Sequence, residues 1–417
     1  MSHPSMPVLE SFTRTWPNLE AAHGKAMRSA SALLSGRDEL LPLLTRIATH
    51  SSARDELLRS VGALTGAPWE LARNCPPQLS RLSVFLPSNN ILYSYTLYGL
   101  IPALYCDEVI IRPSARVRDT AYAVHRQISR RLDPDMAQKI KMIDVSQRQF
   151  KPVCAGSDAV VFTGRPANAH EVMNDIGERP MFLLMGSGPN PLVIGPRTDP
   201  AAACRAVLRA RLYNCGQDCL CPDVVFVHRL RLDAVVEQLR AELSVLTVGA
   251  RSWSDTVLTP LVYEGAAEGA AEFLAENADH VVCGGGTDLE RLLVEPSLLV
   301  LPEGTGFHPP ELFSPVFCIV PYEDPEMLRE WARSPEELER GMYVSALGEP
   351  RLTGETLGTG VIIRNATPLD AENGNQPFGG YGVHASSIRR DGRLIGRPLL
   401  LSMEAGLRRS VITGPLR

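Results

Sequence analysis

Apolar positions recur at helical spacing through the first part of the chain. Leu40, Leu41, Leu43, Leu44 and Ile47 form one face and Leu57, Leu58, Val61 and Leu64 another, so residues 1 to about 80 are predicted to be helical. The texture then changes to short apolar runs closed by turn residues. Leu82-Ser-Val-Phe-Leu86 is stopped by Pro87-Ser-Asn-Asn90, and Glu108-Val-Ile-Ile-Arg112 by Pro113. Both read as buried strands running into loops. Helical spacing from Tyr93 to about Tyr105 lies between them. A helix over Asp119–Leu132 and strands at Lys141–Val145 and Ala159–Thr163 follow.

Further on, Pro180–Leu184 and Pro191–Ile194 are apolar runs around a Gly-rich turn. Asp199-Pro200 is a helix start, with Asp as N-cap and Pro at the first helical position. That helix is predicted to reach about Asn214. Val224–Val227 reads as a strand, Leu232–Leu246 as an amphipathic helix, and Val281 and Leu298–Leu301 as strands. Strands alternating with helices at this spacing predict a mostly parallel, helix-covered sheet, hence an α/β fold. A chain of 417 residues exceeds one ordinary core, so two lobes are expected, with the boundary near 180–195.

Composition narrows the function classes. A net charge of −5 offers no whole-chain basic field, so no nucleic-acid partner is expected. No apolar run is long enough to span a bilayer and the first residues have no secretory apolar core, which leaves the cytoplasm as the expected location. Nine cysteines, an odd number, with Cys215, Cys219 and Cys221 crowded together, suit reduced thiols rather than a disulfide framework. They lack the paired spacing of a zinc site, so no metal is expected.

Chemistry concentrates in Tyr213-Asn-Cys-Gly-Gln-Asp-Cys-Leu-Cys-Pro222. A helix ending near Asn214, a left-handed turn at Gly216 and a cysteine just after can present a sulfur to a cleft beside backbone N–H groups. A thiolate there attacks carbonyl carbon while the amides hold the oxyanion. Three inert packing cysteines are the alternative on local pattern alone.

The segment resembles the nucleophile loop of the aldehyde dehydrogenase superfamily, Asn-x-Gly-Gln-x-Cys, through Asn214, Gly216, Gln217 and Cys219. The resemblance implies that Cys219 is the catalytic thiol. Phe85-Leu-Pro-Ser-Asn-Asn-Ile-Leu92 resembles the family's Pro-Trp-Asn-x-Pro-Leu segment, which puts Asn89 in the place of the oxyanion amide. Ile110-Ile-Arg-Pro-Ser114 resembles the strand end that meets the adenosine ribose, implying a cofactor role for Arg112 and Ser114. Ala115 stands where many members carry the acid that selects a free 2′-hydroxyl, and Arg116 follows, so NADP and NAD are both implied. Phe162-Thr-Gly-Arg165 resembles the Phe-Thr-Gly-Ser turn at the pyrophosphate, giving Gly164 and Arg165; the arginine replaces a small serine. Pro310-Glu-Leu-Phe-Ser-Pro-Val316 resembles Glu-Ile-Phe-Gly-Pro-Val, implying that Glu311 meets the nicotinamide ribose and Phe313 its ring. Gln376-Pro-Phe-Gly-Gly380 resembles the late Pro-Phe-Gly-Gly turn, with His384 where serine is common.

One element breaks the pattern. Hydrolytic members carry a Glu-Leu-Gly-Gly-Lys segment whose Glu activates water, but counting back from Cys219 or from Pro191 places Met185 there, and no carboxylate occurs from Arg179 to Thr198. A thioether cannot accept a proton from water. Superfamily members without that Glu exchange the enzyme thioester with a thiol or phosphate. The implied function is therefore NAD(P)-dependent interconversion of an aldehyde and an acyl thioester, bound to coenzyme A or a carrier protein. Hydrolysis with another base stays open, although Glu268 and Glu404 cannot be placed near Cys219 from sequence. A non-redox acyltransferase descendant also stays open.

The resemblance implies a Rossmann-like cofactor domain with N-terminal helices over 1–186 and an α/β catalytic domain over 187–385. It also implies a C-terminal extension over 386–417, in which Arg397-Pro-Leu-Leu-Leu-Ser402 is an oligomerisation strand of a homodimer.

Overall fold

The computed structural model describes Trp16 and residues 18–412 apart from position 355; residues 1–15 of the predicted helical region, and 413–417 of the extension, lie outside them. Two sheets carry the chain. The first contains β1 (Leu79–Leu86), β2 (Cys106–Pro113), β3 (Ile140–Met142), β4 (Ala159–Thr163) and β5 (Met181–Met185). These pair in parallel in the order β5-β4-β1-β2-β3. Their residues are buried on both faces, as near-continuous Val/Ile/Leu/Phe runs require.

The second sheet is built from β6 (Leu192–Ile194), β7 (Val225–His228), β8 (Val281–Cys283), β11 (Ser297–Val300), β12 (Val316–Tyr322), β13 (Tyr343–Leu347), β14 (Thr356–Leu357) and β15 (Gly360–Arg364). Its order is β14-β15-β13-β6-β7-β12-β11-β8; the outermost strand on either side is antiparallel and the six between are parallel. β9 (Thr287–Asp288) and β10 (Leu293–Val294) form a separate two-stranded ribbon.

β5 and β6 are consecutive yet belong to different sheets, so the chain passes from the first sheet to the second at 186–191. It also returns. β16 (Ser386–Arg390) pairs antiparallel with β5, and β17 (Arg393–Gly396) with β16, so residues after 386 extend the first sheet instead of standing apart. The expected strand at Arg397–Ser402 is not formed. Leu399 makes a single bridge to Phe378, and Leu401–Ile412 is a helix. Glu404 decides this: it is fully buried and paired with Arg390 and Arg397, contacts that a helical turn delivers and an exchanged strand would not.

Helices Leu19–Ser35, Arg37–Leu44 and His50–Asn74 cover one face of the first sheet, with Leu33, Leu40, Leu44, Leu57, Leu64 and Leu71 in its core. Leu58, predicted to face inward, is 52% exposed. The buried face of that helix runs through Ala53, Leu57, Leu64 and Leu71, and beside them through Ser52, Glu56 and Ser60, polar residues at i, i+4 spacing. The helix expected over Tyr93–Tyr105 is divided into an α turn (Ile91–Tyr95), a π turn (Thr96–Leu100) and a 3-10 turn (Pro102–Leu104). Pro102 removes one backbone donor, and wide turns of this kind commonly adjoin functional sites.

Inside the second lobe Arg211 and Asp223 form an ion pair of 2.8 Å at 1% and 4% side-chain exposure. Asp223 also accepts from the Leu312 N–H, whereas Arg211 leaves Nε and one Nη without partners. Breaking such a pair strands a buried charge, while replacing both members by apolar groups avoids the desolvation cost. Arg211→Met is expected to cost about 3–5 kcal/mol in denaturant unfolding, and the double variant Arg211→Met/Asp223→Leu should recover most of that loss.

Candidate active site

The C-terminal ends of β1 and β4 lie side by side where the strand order of the first sheet reverses, the place at which open α/β sheets bind ligands. β1 runs into Pro87–Asn90 and β4 into Gly164–Arg165. Opposite them stand the loops entering β6, β7 and β12 of the second sheet, which carry Ser187–Asn190, Cys219 and Glu311–Phe313. Hydrogen bonds from Asn89 to Gln217 and from Asn90 to Asp218 join the end of β1 to the Cys219 loop, and β2 ends directly beside β1.

Cys219 is positioned by an unusual turn. The helix Pro200–Arg211, capped by Asp199 as expected, stops at Leu212. Asn214, Cys215 and Gly216 then take φ of 47°, 57° and 81°. A Cβ on Gly216 would lie 2.3 Å from the Ser314 carbonyl oxygen, so only glycine fits. Non-glycine residues resist this conformation by about 1–2 kcal/mol each, and tertiary contacts hold them in it. The Asn214 N–H donates to Ser52 Oγ at 2.9 Å, and the Thr49 N–H donates to Asn214 Oδ1 at 3.1 Å. Gln217 Nε2 donates to the Asn214 carbonyl, and Gln217 Oε1 accepts from the Val262 N–H at 2.7 Å.

Beyond the turn, Asp218 folds back on its own loop and accepts from the Leu220 N–H at 2.8 Å and from Asn90 Nδ2. Asn190 Nδ2 donates to the Cys219 carbonyl at 2.6 Å. The Cys219 N–H has no acceptor among the described residues, so it remains available to an oxyanion. Asn89 Nδ2 lies 3.5 Å from the Gln217 carbonyl, which holds the amide over the same loop. Cys215 and Cys221 are buried and bond to backbone carbonyls of Thr259 and Tyr213; Cys219 alone of the three is partly exposed. All nine cysteines are unpaired.

A pocket opens at the Cys219 sulfur, lined among others by Tyr98, Met185, Tyr213 and Phe378, and by three carboxylates, Glu56, Asp218 and Glu372. Met185 thus forms pocket wall at the position expected for it. Burial, followed by the charges of Asp218, Glu311 and Glu372, raises the Cys219 thiol well above its ordinary value. Burial likewise raises Glu372, whose carboxylate accepts from the Tyr93 hydroxyl at 2.9 Å. Glu56 accepts from the Leu92 and Tyr93 N–H groups at 2.6 and 3.1 Å, yet burial outweighs them and pushes it up to about 7.

Sequence reasoning missed this carboxylate wall. Glu56 comes from the N-terminal helix and Glu372 from the loop before Pro-Phe-Gly-Gly; the one signal for the former was a glutamate in line with Ser52 and Ser60. Glu268 and Glu404 play no part in the pocket lining.

Along the other arm of the crevice, Gly164 has φ of 146° and precedes the helix Pro166–Asp175, whose first turn no side chain caps. Its free N–H groups and positive end suit a pyrophosphate. Ser114 accepts from the Ser88 hydroxyl at 2.9 Å. Arg112 is engaged elsewhere, with Nε donating to the Val145 carbonyl at 3.1 Å and its guanidinium 5.9 Å from the Phe85 ring centre. Glu311 lies at the surface of the crevice; burial of its carboxyl raises it to about 7, with the charge of Asp223 adding to the rise and a hydrogen bond with Ser187 opposing it. Arg165 is exposed and near enough to Glu311 to oppose that rise. Phe313, at φ 45°, sets its ring edge-on to Tyr263 at 6.1 Å. His384 faces Glu339 at 3.3 Å and the His170 ring, away from the pocket lining.

Comparison with known proteins agrees with this layout. Over 299 residues the chain is 22% identical to 4,4'-diapolycopene-4,4'-dial dehydrogenase of Cytobacillus firmus, covering 69% of this chain and 65% of that protein. It is 29% identical over 249 residues to aspartate-semialdehyde dehydrogenase (non-phosphorylating) of Halomonas elongata, covering 57% and 49%. It thus spans roughly half to two thirds of the length of these relatives. Among solved structures, succinic semialdehyde dehydrogenase from Streptococcus pyogenes in complex with NADP+ superposes with a TM-score of 0.76 at 16% identity, covering 96% of this chain and 97% of that one. An NAD+ complex of aldehyde dehydrogenase from Bacillus cereus gives 0.78 at 20% identity, covering 93% and 82%. The aldehyde dehydrogenase family profile matches residues 96–394, well over half of the sequence, and this chain belongs to that family.

Proposed function

We propose that this chain is an NAD(P)-dependent oxidoreductase that interconverts an aldehyde and an acyl thioester through a covalent adduct on Cys219. The observation that carries the reading is Met185 in the pocket wall, where hydrolytic members place their water-activating glutamate. The crevice residues fit a nicotinamide dinucleotide: a backbone approach at Gly164, an uncapped helix start behind it, and Glu311 near Arg165 on the second lobe. When bound, such a cofactor accepts or returns a hydride.

The protein supplies the rest. Cys219 Sγ forms a bond to the carbonyl carbon, and the oxygen gains negative charge between Asn89 Nδ2 and the Cys219 N–H. Loss of hydride from the adduct leaves an enzyme thioester. An incoming thiol attacks its carbonyl carbon, the Cys219 sulfur departs, and an acyl thioester is released. In the opposite direction Cys219 displaces the thiol of coenzyme A or a carrier, and hydride addition frees the aldehyde. Met185 and the apolar wall around Leu97, Leu220, Leu369 and Phe378 discourage water at the thioester.

A groove at Ala115, lined by Arg46, Arg116, Arg118 and Arg251, favours a 2′-phosphate, so NADP is taken as well as NAD. A second reading, hydrolysis to the acid, is favoured by Glu372: a buried carboxyl of raised proton affinity in the same pocket can take a proton from water.

Product analysis separates the two. Aldehyde oxidation that requires coenzyme A, and NADPH consumption on addition of an acyl-CoA, are expected. Free acid formed at full rate without any thiol would sink thioester exchange. Cys219→Ser is expected to lower turnover about 1,000-fold or more while leaving NADPH binding intact by fluorescence titration, and Asn89→Ala to lower kcat about 100-fold. Arg116→Ala should weaken NADPH about tenfold and NADH less, read by the same titration. Because its thiol is raised, alkylation of Cys219 by iodoacetamide in the free protein should climb about tenfold per pH unit through pH 9; a plateau below pH 8, followed by mass spectrometry, would contradict the environment described for it.

A further inference from the structure

We propose that the Cys219 pocket selects aldehydes carrying a positive charge, short-chain ω-amino aldehydes above all, through Glu56, Asp218, Glu372 and Tyr98. The inference rests on the reading that Cys219 attacks aldehyde carbon in this pocket. It applies whether the acyl group then leaves to a thiol or to water.

Charge is distributed unevenly around the sulfur. Three carboxylates line the pocket and none forms an ion pair among the described residues. Glu56 meets two backbone N–H groups, Asp218 a backbone N–H and the Asn90 amide, and Glu372 the Tyr93 hydroxyl. Each is a hydrogen bond to a neutral donor. The single guanidinium in the lining, Arg59, is already committed. Its Nε pairs with Asp55 at 2.5 Å and one Nη donates to the Leu369 carbonyl at 2.7 Å, while Asp55 also accepts from the Tyr213 hydroxyl. Arg59 is thus occupied by a carboxylate of the protein itself, and a substrate carboxylate would have to displace it.

Tyr98 is the independent sign of a ligand. The residue is nine-tenths buried on the π turn, lines the same pocket, and its hydroxyl has no hydrogen-bond partner among the described residues. It lies close enough to Cys219 and Glu372 to feel both charges. A buried hydroxyl left open toward a cavity is satisfied by whatever enters it. An ammonium group suits the whole surround: three donors for carboxylates and the phenol oxygen, and attraction to the faces of Tyr93, Tyr98, Tyr213 and Phe378. Such a guest also favours the ionised form of these carboxyls, which burial disfavours. An anionic aldehyde meets the reverse, because its carboxylate would be desolvated among like charges.

The test compares 3-aminopropanal, butanal and succinate semialdehyde with the intact protein and NADP+ or NAD+. The expected kcat/KM falls by about tenfold or more at each step in that order, about 1.4 kcal/mol per step. Glu372→Gln should compress the ratio of 3-aminopropanal to butanal; a role confined to proton transfer would slow both together and leave the ratio unchanged. Independently of turnover, propylammonium should protect Cys219 from alkylation by iodoacetamide, read by mass spectrometry, where propionate does not. Protection by propylammonium with no aldehyde oxidised would uphold the charge selection and sink the oxidoreductase reading. Oxidation of butanal with no preference for the amine and no protection would overturn the selection while leaving the oxidoreductase reading intact.

Discussion

The crevice depends on one left-handed turn, Asn214–Gly216, and on the helix that holds it. Three successive residues with positive φ are costly for an L-polypeptide, and a free chain would relax into the helix that precedes them. Ser52 Oγ and the Thr49 N–H prevent this by engaging Asn214 on both its N–H and its side-chain oxygen. The N-cap of the helix His50–Asn74 is thus also the anchor of the Cys219 loop. Stability of the first lobe and placement of Cys219 in the second are coupled through two hydrogen bonds.

The same helix supplies the polar wall of the pocket. Ser52, Glu56 and Ser60 occupy a stripe that leucines would fill in an ordinary packing helix. Burying a carboxylate there costs free energy that two backbone N–H groups only partly offset, and the rise of Glu56 to about 7 expresses the deficit. Burial also raises Glu372 and Asp218 in the same pocket. Proteins retain such unfavourable groups where binding or chemistry uses them; burial first, and then the charges of Asp218, Glu311 and Glu372, also raise the Cys219 thiol.

The cofactor arm is less conventional. Arg112 is drawn back against Phe85 and Val145, and Arg165 occupies the helix start where a small residue would leave open space. Positive charge is instead gathered around Ala115, in a groove shared by the N-terminal helices, the start of helix Arg118–Ser129 and the loop between Arg251 and Val262. That loop is tied to Gln217 through Val262 and to Phe313 through Tyr263, so cofactor side and nucleophile side share a common support.

By itself the sequence determined the period of each element, the alternation that makes two parallel-rich sheets, and the order of the segments that meet at the crevice. Those features are local: apolar spacing, Pro and Asp at helix starts, and glycine where a side chain would collide. Counting along the sequence also put Met185, with no proton to exchange, where hydrolytic members carry their glutamate, and the structure set it in the same pocket lining as Cys219. Only the tertiary structure decided that Glu56 and Glu372, more than 300 positions apart, share a pocket with Cys219, because no local pattern encodes a contact between a helix on one lobe and a late loop of the other. It likewise decided that Arg397–Ser402 ends in a helix and not in an exchanged strand, since the buried Glu404 gains two half-buried arginine partners only when the chain coils. Periodicity reports which face of an element is apolar. What that face meets is settled by packing across the whole molecule.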